Sequence, residues 1–274
     1  MNDPRLMASM PHALATPGSV DLWRLSVAEG RQRVACASYL QWLDHQERTR
    51  YQRSTDQGWR EQFLIGHGWL REVLARYLEC DPARIILGQG RYGKPELLAP
   101  KQSSLHFNLS HTQGLLVLAV SRSPVGVDVE AHRYRDVFAL CQRFFSEGER
   151  RTLSRTTRPR RLACFYRMWT LKEAWVKAAG IGIGWQWRQL RVVRKGTASG
   201  LDGPSCWRLA ASGSLEGYSI AIAGMSPRAI SVRTFVDTAL AGFGSSRDNL
   251  RWLEYHLDNG NASHMRFINQ GVTL

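Results

Sequence analysis

Two acidic positions two residues apart, Asp128 and Glu130 in the run GVDVE, raise the first chemical question. On an alternating strand both carboxylates fall on one face, roughly 6.5–7 Å apart, with Val127 and Val129 on the other. Like charges this close repel unless a cation lies between them. Hard cations such as Mg²⁺ prefer carboxylate oxygens and keep coordination positions for water and phosphate. A solvated acidic strand end fits the same pair. About forty residues later, MWTLKEAWVKAAG (168–180) sets Lys172, Glu173 and Lys177 into an otherwise apolar stretch. On a helical period Leu162, Tyr166, Trp169, Glu173 and Val176 share a stripe, so a carboxylate stands where a core residue belongs. Phe165, Met168, Lys172, Trp175 and Ala179 form the neighbouring stripe, which an ammonium interrupts. Charges among such residues are partly desolvated and need a partner or a metal. The Glu173–Lys177 spacing also fits an ordinary i,i+4 ion pair, worth about 0.2–0.5 kcal/mol.

Two further stretches carry donors suited to an anion. NLSHT (108–112) places Ser110 and His111 in a predicted turn between strands, where Asn and Ser could equally satisfy their own backbone. The Gly-rich GQGRYGKP (88–95) is a tight surface loop that offers accessible backbone at Gly93 and a cation at Lys94. In chain order, phosphate-type donors thus alternate with metal-type carboxylates.

These residues need elements to hold them. VDLWRLSV (20–27) alternates as a first strand, and helical patterns cover Arg33 to Tyr51 and Trp59 to Tyr77. CDPARI is a turn, and a short strand at 84–87 precedes the Gly-rich loop. LHFNLS, LLVLAVS and VGVDVE then suggest a three-stranded antiparallel meander. A helix near Asp136 to Phe144, the basic segment SRTTRPRR and a long helix from about Leu162 to Ala179 follow. Strand-like runs LRVV, YSIAIAG and AISVRTFV come next, and an amphipathic helix is predicted at Arg247 to Leu257. Each half holds a helix of similar character followed by strands, which suggests a duplicated α/β unit.

The chain has 274 residues, 43% of them hydrophobic, enough for one large domain or two small ones with a real core. The five cysteines are scattered without a C-x-x-C pair and read as reduced thiols. There is no signal-peptide pattern, and the apolar run Leu115 to Val120 is far below the ~20 residues of a membrane span. The expectation is a cytoplasmic protein without membrane contact. A formal net charge of +14, spread along the whole length, attracts polyanions: nucleic acid, a phosphate-rich small molecule or an acidic protein. A nucleic-acid module would interleave aromatics with a continuous basic stripe. Here the best lysines share motifs with the carboxylates, which suits a metal–phosphate site better.

The ordered set resembles the 4′-phosphopantetheinyl transferases of the long, single-chain type. The matching residues are Gly93-Lys94-Pro95, Asn108-Leu109-Ser110-His111, Gly126-Val127-Asp128-Val129-Glu130, Arg143-Phe144-Phe145-Ser146 with Glu149, and Trp169-Thr170-Leu171-Lys172-Glu173 with Lys177. The similarity runs from about Val20 to Gly224.

The resemblance implies an α+β fold of two similar α/β halves related by a pseudo-twofold axis. The division would be a flexible arm (1–18), an N-terminal half (19–124), a C-terminal half with the metal site (125–241) and an extension of unknown role (242–274). It implies Asp128, Glu130 and Glu173 as Mg²⁺ ligands, with Lys172 and Lys177 against the coenzyme A pyrophosphate. Lys94, Ser110 and His111 would hold the adenosine 3′-phosphate end. The implied reaction moves 4′-phosphopantetheine from coenzyme A to a serine of an acidic apo acyl, peptidyl or aryl carrier protein, releasing 3′,5′-ADP. Glu173, or a metal-bound water near Glu149, would take the serine proton, and Lys172 would stabilise the departing phosphate. Such a chain would be a monomer in fatty acid, polyketide or nonribosomal peptide biosynthesis. The family usually carries an arginine near Gln62, so either Arg50, Arg60 or Arg71 supplies the missing contact or the grip on the ligand is weaker. His67 and Trp69 read as packing or surface residues.

Overall fold

The structure is a computed structural model that describes residues 18–36, 39–90, 92–100, 104–134, 136–182, 185–188, 190–194, 207–212, 215, 217–226, 230–237 and 252–258. It opens on β1 (Ser19–Ser26), α1 (Val27–Cys36), α2 (Tyr39–Trp42), α3 (His45–Arg53) and α4 (Gln57–Leu78). There follow β2 (Ile86–Gln89), β3 (Pro95–Ala99), β4 (His106–Thr112), β5 (Leu115–Ser121) and β6 (Val125–Ala131). Three helices come next, α5 (Val137–Phe144), α6 (Glu147–Arg155) and α7 (Arg158–Ala179). The last strands are β7 (Arg191–Arg194), β8 (Trp207–Ser212), β9 (Tyr218–Met225), β10 (Ser231–Val236) and β11 (Trp252–Asp258). The arm at 1–17 and most of the extension lie outside the described residues.

Side-chain caps set the helix limits. Asp56 accepts from the Trp59 amide to start α4, and Asp44 with Glu47 closes a capping box on α3. Asp44 falls inside the predicted helix 33–51, and its cap is why α3 starts as a separate helix after α2. Pro159 in the first turn starts α7, and Gly180, at φ 65°, ends it in the left-handed conformation that glycine adopts without strain. The basic segment SRTTRPRR is therefore the end of α6 and the start of α7.

The strands form one sheet in the order β10-β1-β5-β4, a second in the order β6-β9-β8-β11-β7, and the hairpin β2-β3. Strand alternation splits the cores. Trp23, Leu25, Leu116, Leu118 and Val120 pack under α4 through Ile65, Trp69, Leu70, Val73 and Leu74. The opposite face, with Val20, Leu22, Val117 and Ala119, packs on Val125, Val127, Val129, Ile220 and Ile222 of the second sheet. The far side of that sheet, with Leu209, Ala211, Ala221 and Ala223, packs under Leu171, Ala174, Trp175 and Ala178 of α7. The layers are thus α4, first sheet, second sheet, α7, an α+β arrangement in which each 22-residue helix covers its own sheet.

Four sequence expectations change. The meander stops at two strands, because β5 already has β1 and β4 on its two edges and β6 pairs with β9 instead. β10 leaves the predicted C-terminal half and joins the first sheet, parallel to β1. The predicted helix 247–257 is, over its described part, strand β11 between β8 and β7. Leu253 and Leu257 are four residues apart, but Leu253, Tyr255 and Leu257 also alternate, and sheet pairing decides between the periods. The CDPARI turn contains a short 3-10 helix at Pro82–Arg84, and the strand predicted at 84–87 lies at Ile86–Gln89.

Gly126 determines how closely α7 approaches β6. A Cβ there would meet the Ala174 carbonyl and the Ala178 amide nitrogen, backbone atoms that cannot swing aside. Gly126→Ala should therefore lower stability by about 1–3 kcal/mol, read as a lower midpoint in urea denaturation. An unchanged midpoint would show that α7 can move outward at no cost.

Candidate active site

The candidate site lies where the edge strands of the two sheets meet. β6 pairs with β9 on one edge only, and side chains of β4 supply partners for the other. Asn108 Oδ1 accepts from the Val127 amide at 2.9 Å, and Thr112 Oγ1 accepts from the Ala131 amide at 3.1 Å. Between them Ser110 Oγ donates to Asp128 Oδ1 at 3.0 Å. Ser110 thus lies on a strand, not in the predicted turn.

From the other side α7 brings Lys177, whose Nζ donates to Asp128 Oδ1 at 2.6 Å and to Ser110 Oγ at 2.9 Å. The partner of Lys177 is therefore a residue of another element, not Glu173 one turn away. Asp128 is buried, and its Oδ2 makes no hydrogen bond. Glu173 is buried beside it. Burial first, then the Asp128 charge and that of Glu130, push its carboxyl up to about 7, with Lys177 pulling the other way. The fold therefore brings Asp128, Glu130 and Glu173 within electrostatic reach of one another.

This donor set suits a hard divalent cation: oxygen ligands, a buried carboxylate oxygen without a partner, and a third acid whose ionisation positive charge would favour. Among the described residues no three His, Cys, Asp or Glu side chains already stand in metal-holding geometry. The Lys177 ammonium supplies the counter-charge at Asp128 Oδ1 instead.

Two expectations need correction. Lys172 does not face an open cleft: its side chain is 0% exposed. Its Nζ donates to Glu149 Oε2 at 2.7 Å, the Trp187 carbonyl at 2.9 Å and the Phe144 carbonyl at 3.2 Å, which uses all three protons. Glu149 is occupied as well. Its Oε2 accepts from the Ser146 amide in the capping box of α6, and Oε1 accepts from the Val192 amide at 3.3 Å. Lys172 and Glu149 form an internal tie among α6, α7, Trp187 and β7. Lys172 and Glu173 are adjacent in sequence yet point to different sides of α7.

Lys94 stands apart from the acids. Its Nζ donates to the Val125 carbonyl at 3.0 Å, where the chain starts β6, and burial, partly offset by Glu96, holds its ammonium down to about 8. His111 opens to solvent beside the cluster. Partial burial, then the charges of Lys177 and His67, keep its imidazole below the ordinary value. Arg50 is exposed, with its guanidinium 5.4 Å from the centre of the Phe63 ring, and Arg60 lies over Tyr51 at 4.4 Å. Arg71 is fully buried on Glu47 at 2.7 Å, which removes it as a ligand contact.

His67 and Trp69, read from sequence as packing or surface residues, have specific partners. Trp69 Nε1 donates to Asp237 Oδ2 at 2.8 Å, and His67 Nδ1 lies 2.6 Å from Glu47 Oε1. The i,i+4 spacing of Phe63, His67 and Arg71 was the available signal for His67. Its partner Glu47 lies on another helix, where spacing gives no warning.

A two-layer β core with one long helix on each outer face, and a lysine-neutralised acid cluster where the sheets meet, defines the class of protein. Residues 124–223 match the family described as the 4′-phosphopantetheinyl transferase superfamily, and residues 31–123 match 4′-phosphopantetheinyl transferase, N-terminal. The chain is 32% identical over 177 residues to 4′-phosphopantetheinyl transferase HetI of Nostoc sp., covering 63% of this chain and 73% of that one. It is 35% identical over 120 residues to a 4′-phosphopantetheinyl transferase of Bacillus subtilis, covering 44% and 52%. A phosphopantetheinyl transferase of Thraustochytrium sp. is 33% identical over 182 residues, covering 61% and 63%. The match thus spans about half the length of the Bacillus subtilis relative. The chain belongs to the 4′-phosphopantetheinyl transferase family.

Two measurements test the site's electrostatics. Between about pH 4.5 and 7 the folded chain holds a proton at Glu173 that the unfolded chain releases, so stability falls as pH rises through that window. Without divalent ions, Glu173→Gln should therefore melt higher than the parent at about pH 8, by an equivalent of at most ~3 kcal/mol, and alike near pH 4.5. A lower melting point for the variant at the higher pH would refute the buried-acid assignment. Lys172→Met leaves Glu149 buried without its ammonium and should cost about 3 kcal/mol or more in urea denaturation. A loss of activity without a loss of stability would return Lys172 to the ligand cleft.

Proposed function

We propose that the chain transfers the 4′-phosphopantetheine group of coenzyme A to a serine hydroxyl of an apo carrier protein. The observation that carries this reading is the cluster of Ser110, Asp128, Glu173 and Lys177 at the seam, in a chain of this family. The serine oxygen forms a bond to the β-phosphorus of coenzyme A, the bridging P–O bond breaks, and 3′,5′-ADP leaves. Lys177, already held between Ser110 and Asp128, is the cation for the pyrophosphate, and positioning with charge neutralisation supplies most of the acceleration. Asp128, Glu130 and Glu173 are the residues that would hold Mg²⁺. When bound, that ion polarises the pyrophosphate and offsets the repulsion among the acids. Glu173 takes the serine proton in this reading, since both oxygens of Glu149 are committed elsewhere. His111 contacts the 3′-phosphate end, while Lys94 braces the start of β6.

The partner is an acidic carrier domain. The net charge of +14 supports this, as does a cavity of about 320 Å³ lined by Phe138, Cys141 and Leu153 and edged by Arg150, Arg151 and Arg161. The two similar halves relate by a pseudo-twofold axis, a reading supported by two 22-residue helices each laid on its own sheet. The enzyme works as a cytoplasmic monomer; among the described residues no helix is long and apolar enough to cross a membrane.

The test is a mass spectrum of apo carrier proteins after incubation with the chain, coenzyme A and Mg²⁺. A gain of one phosphopantetheine per carrier is expected, at a rate that falls as salt rises. Asp128→Ala and Glu173→Gln should slow it by about a hundredfold or more. No mass gain on any of several carriers would refute the reading.

A further inference from the structure

α4 presents a histidine toward the seam that the proposed mechanism leaves unused. His67 lies flat on Phe63, with ring centroids 4.0 Å apart and planes inclined by 26°. Its Nδ1 is 2.6 Å from Glu47 Oε1. Glu47 is itself buried and takes Arg71 through Oε2 at 2.7 Å and Oε1 at 3.1 Å. Burial works against the Glu47 charge, but the hydrogen bond from His67 and the Arg71 charge outweigh it and hold the carboxyl down at about 2. An ionised carboxylate only accepts, so Nδ1 carries the proton and the tautomer is fixed. Nε2 is then the nitrogen left for a ligand. The ring is held by a stack and a hydrogen bond, yet 24% of the side chain remains exposed.

The fold brings this ring within electrostatic reach of His111. Phe107 and Leu109 of β4 pack under α4, and Leu109 lies against Gly66. His111 is two residues further along on the same face of the strand, and its imidazole feels the charges of His67 and of Lys177. His67 on α4, His111 on β4 and Lys177 on α7 therefore form a succession of nitrogen groups from the first half to the second. Arg50, over the same Phe63 ring, adds positive charge at the outer end.

We propose that His67, oriented by Glu47 and Phe63, is a phosphate-binding residue that contacts the 3′-phosphate of coenzyme A beside His111. The assignment rests on the proposed transferase reading, in which Lys177 and the acids take the pyrophosphate. The 3′-phosphate then falls toward the α4 side, where its charge draws a second proton onto the ring: with Nδ1–H held on Glu47, Nε2–H of the His67 imidazolium donates to a phosphate oxygen in a charge-assisted hydrogen bond. Glu47 is a positioning residue: it fixes the ring and touches no ligand.

The test is calorimetric binding of coenzyme A and of 3′-dephospho-coenzyme A to the full chain, with melting curves as the fold control. His67→Phe keeps the stack and removes both nitrogens. It should raise the Kd for coenzyme A about tenfold and leave that for the dephospho ligand unchanged. His67→Asn, which can replace Nδ1 only, should lose as much, while His67→Gln, whose amide reaches the Nε2 position, should recover part of the affinity. The Asn and Gln pair decides the matter if the Phe variant fails to fold. Coenzyme A affinity equal to the parent's in these variants, or equal losses for both ligands, would overturn the assignment. A parent chain that binds coenzyme A and modifies carriers normally while the variants do the same overturns this inference alone. A parent chain that does neither overturns the transferase reading with it.

Discussion

The ion pair between Lys177 and Asp128 is the contact on which the site depends. Asp128 is buried on the edge strand β6, and a buried carboxylate without a counter-charge costs several kcal/mol. Lys177 meets it at 2.6 Å from the opposite helix, with Ser110 bridging the two. The pair joins three elements that are distant in sequence, β4, β6 and α7, and it accounts for only part of the negative charge. Glu173 and Glu130 remain close by, and burial with the neighbouring acids pushes the Glu173 carboxyl up to about 7. Acids grouped in this way attract positive charge. The fold maintains this electrostatic imbalance.

The backbone around the pair explains how the imbalance persists. The absence of a side chain at Gly126 lets α7 lie directly on β6, which brings Glu173 and Lys177 down to the level of Asp128. On its other edge β6 has no strand partner, and Asn108 and Thr112 of β4 satisfy its amides through their side chains. A backbone ladder there would have fused the sheets and closed the seam. Side-chain bridging holds the edges in register and still leaves room for Ser110 to reach the acid.

The chemistry was more legible in the sequence than the topology. Spacing alone placed Asp128 and Glu130 on one face of a strand and put a carboxylate into an apolar helix, because strand and helix periods are local properties. The long helices at α4 and α7 were visible for the same reason. Sheet order was not: nothing in VGVDVE states that β5 has no free edge, and nothing in AISVRTFV states that β10 returns to the first sheet. Lys172 and Lys177 show the limit most clearly. Both lie in one apolar helix, five residues apart, and both form ion pairs. One is sealed behind α6 with all its protons used, and the other is 29% exposed at the seam. The difference is set by which layer each helix face meets, which spacing does not reveal.

The late strands bind the two halves into one unit. β10 lies parallel to β1, and the chain then passes Asp237 before β11 fills the place between β8 and β7. Asp237 is buried against Trp69 of α4, with Arg33 and Arg76 as its counter-charges. The last part of the sequence therefore completes both sheets and anchors the helix that carries His67. A seam between two independently folded halves would open with every fluctuation of a linker. Here the first sheet borrows β10 from the sequence of the second half, so opening the seam means unpairing β10 or unburying Asp237. That requirement keeps Ser110, Asp128 and Lys177 within hydrogen-bond distance before any ligand arrives.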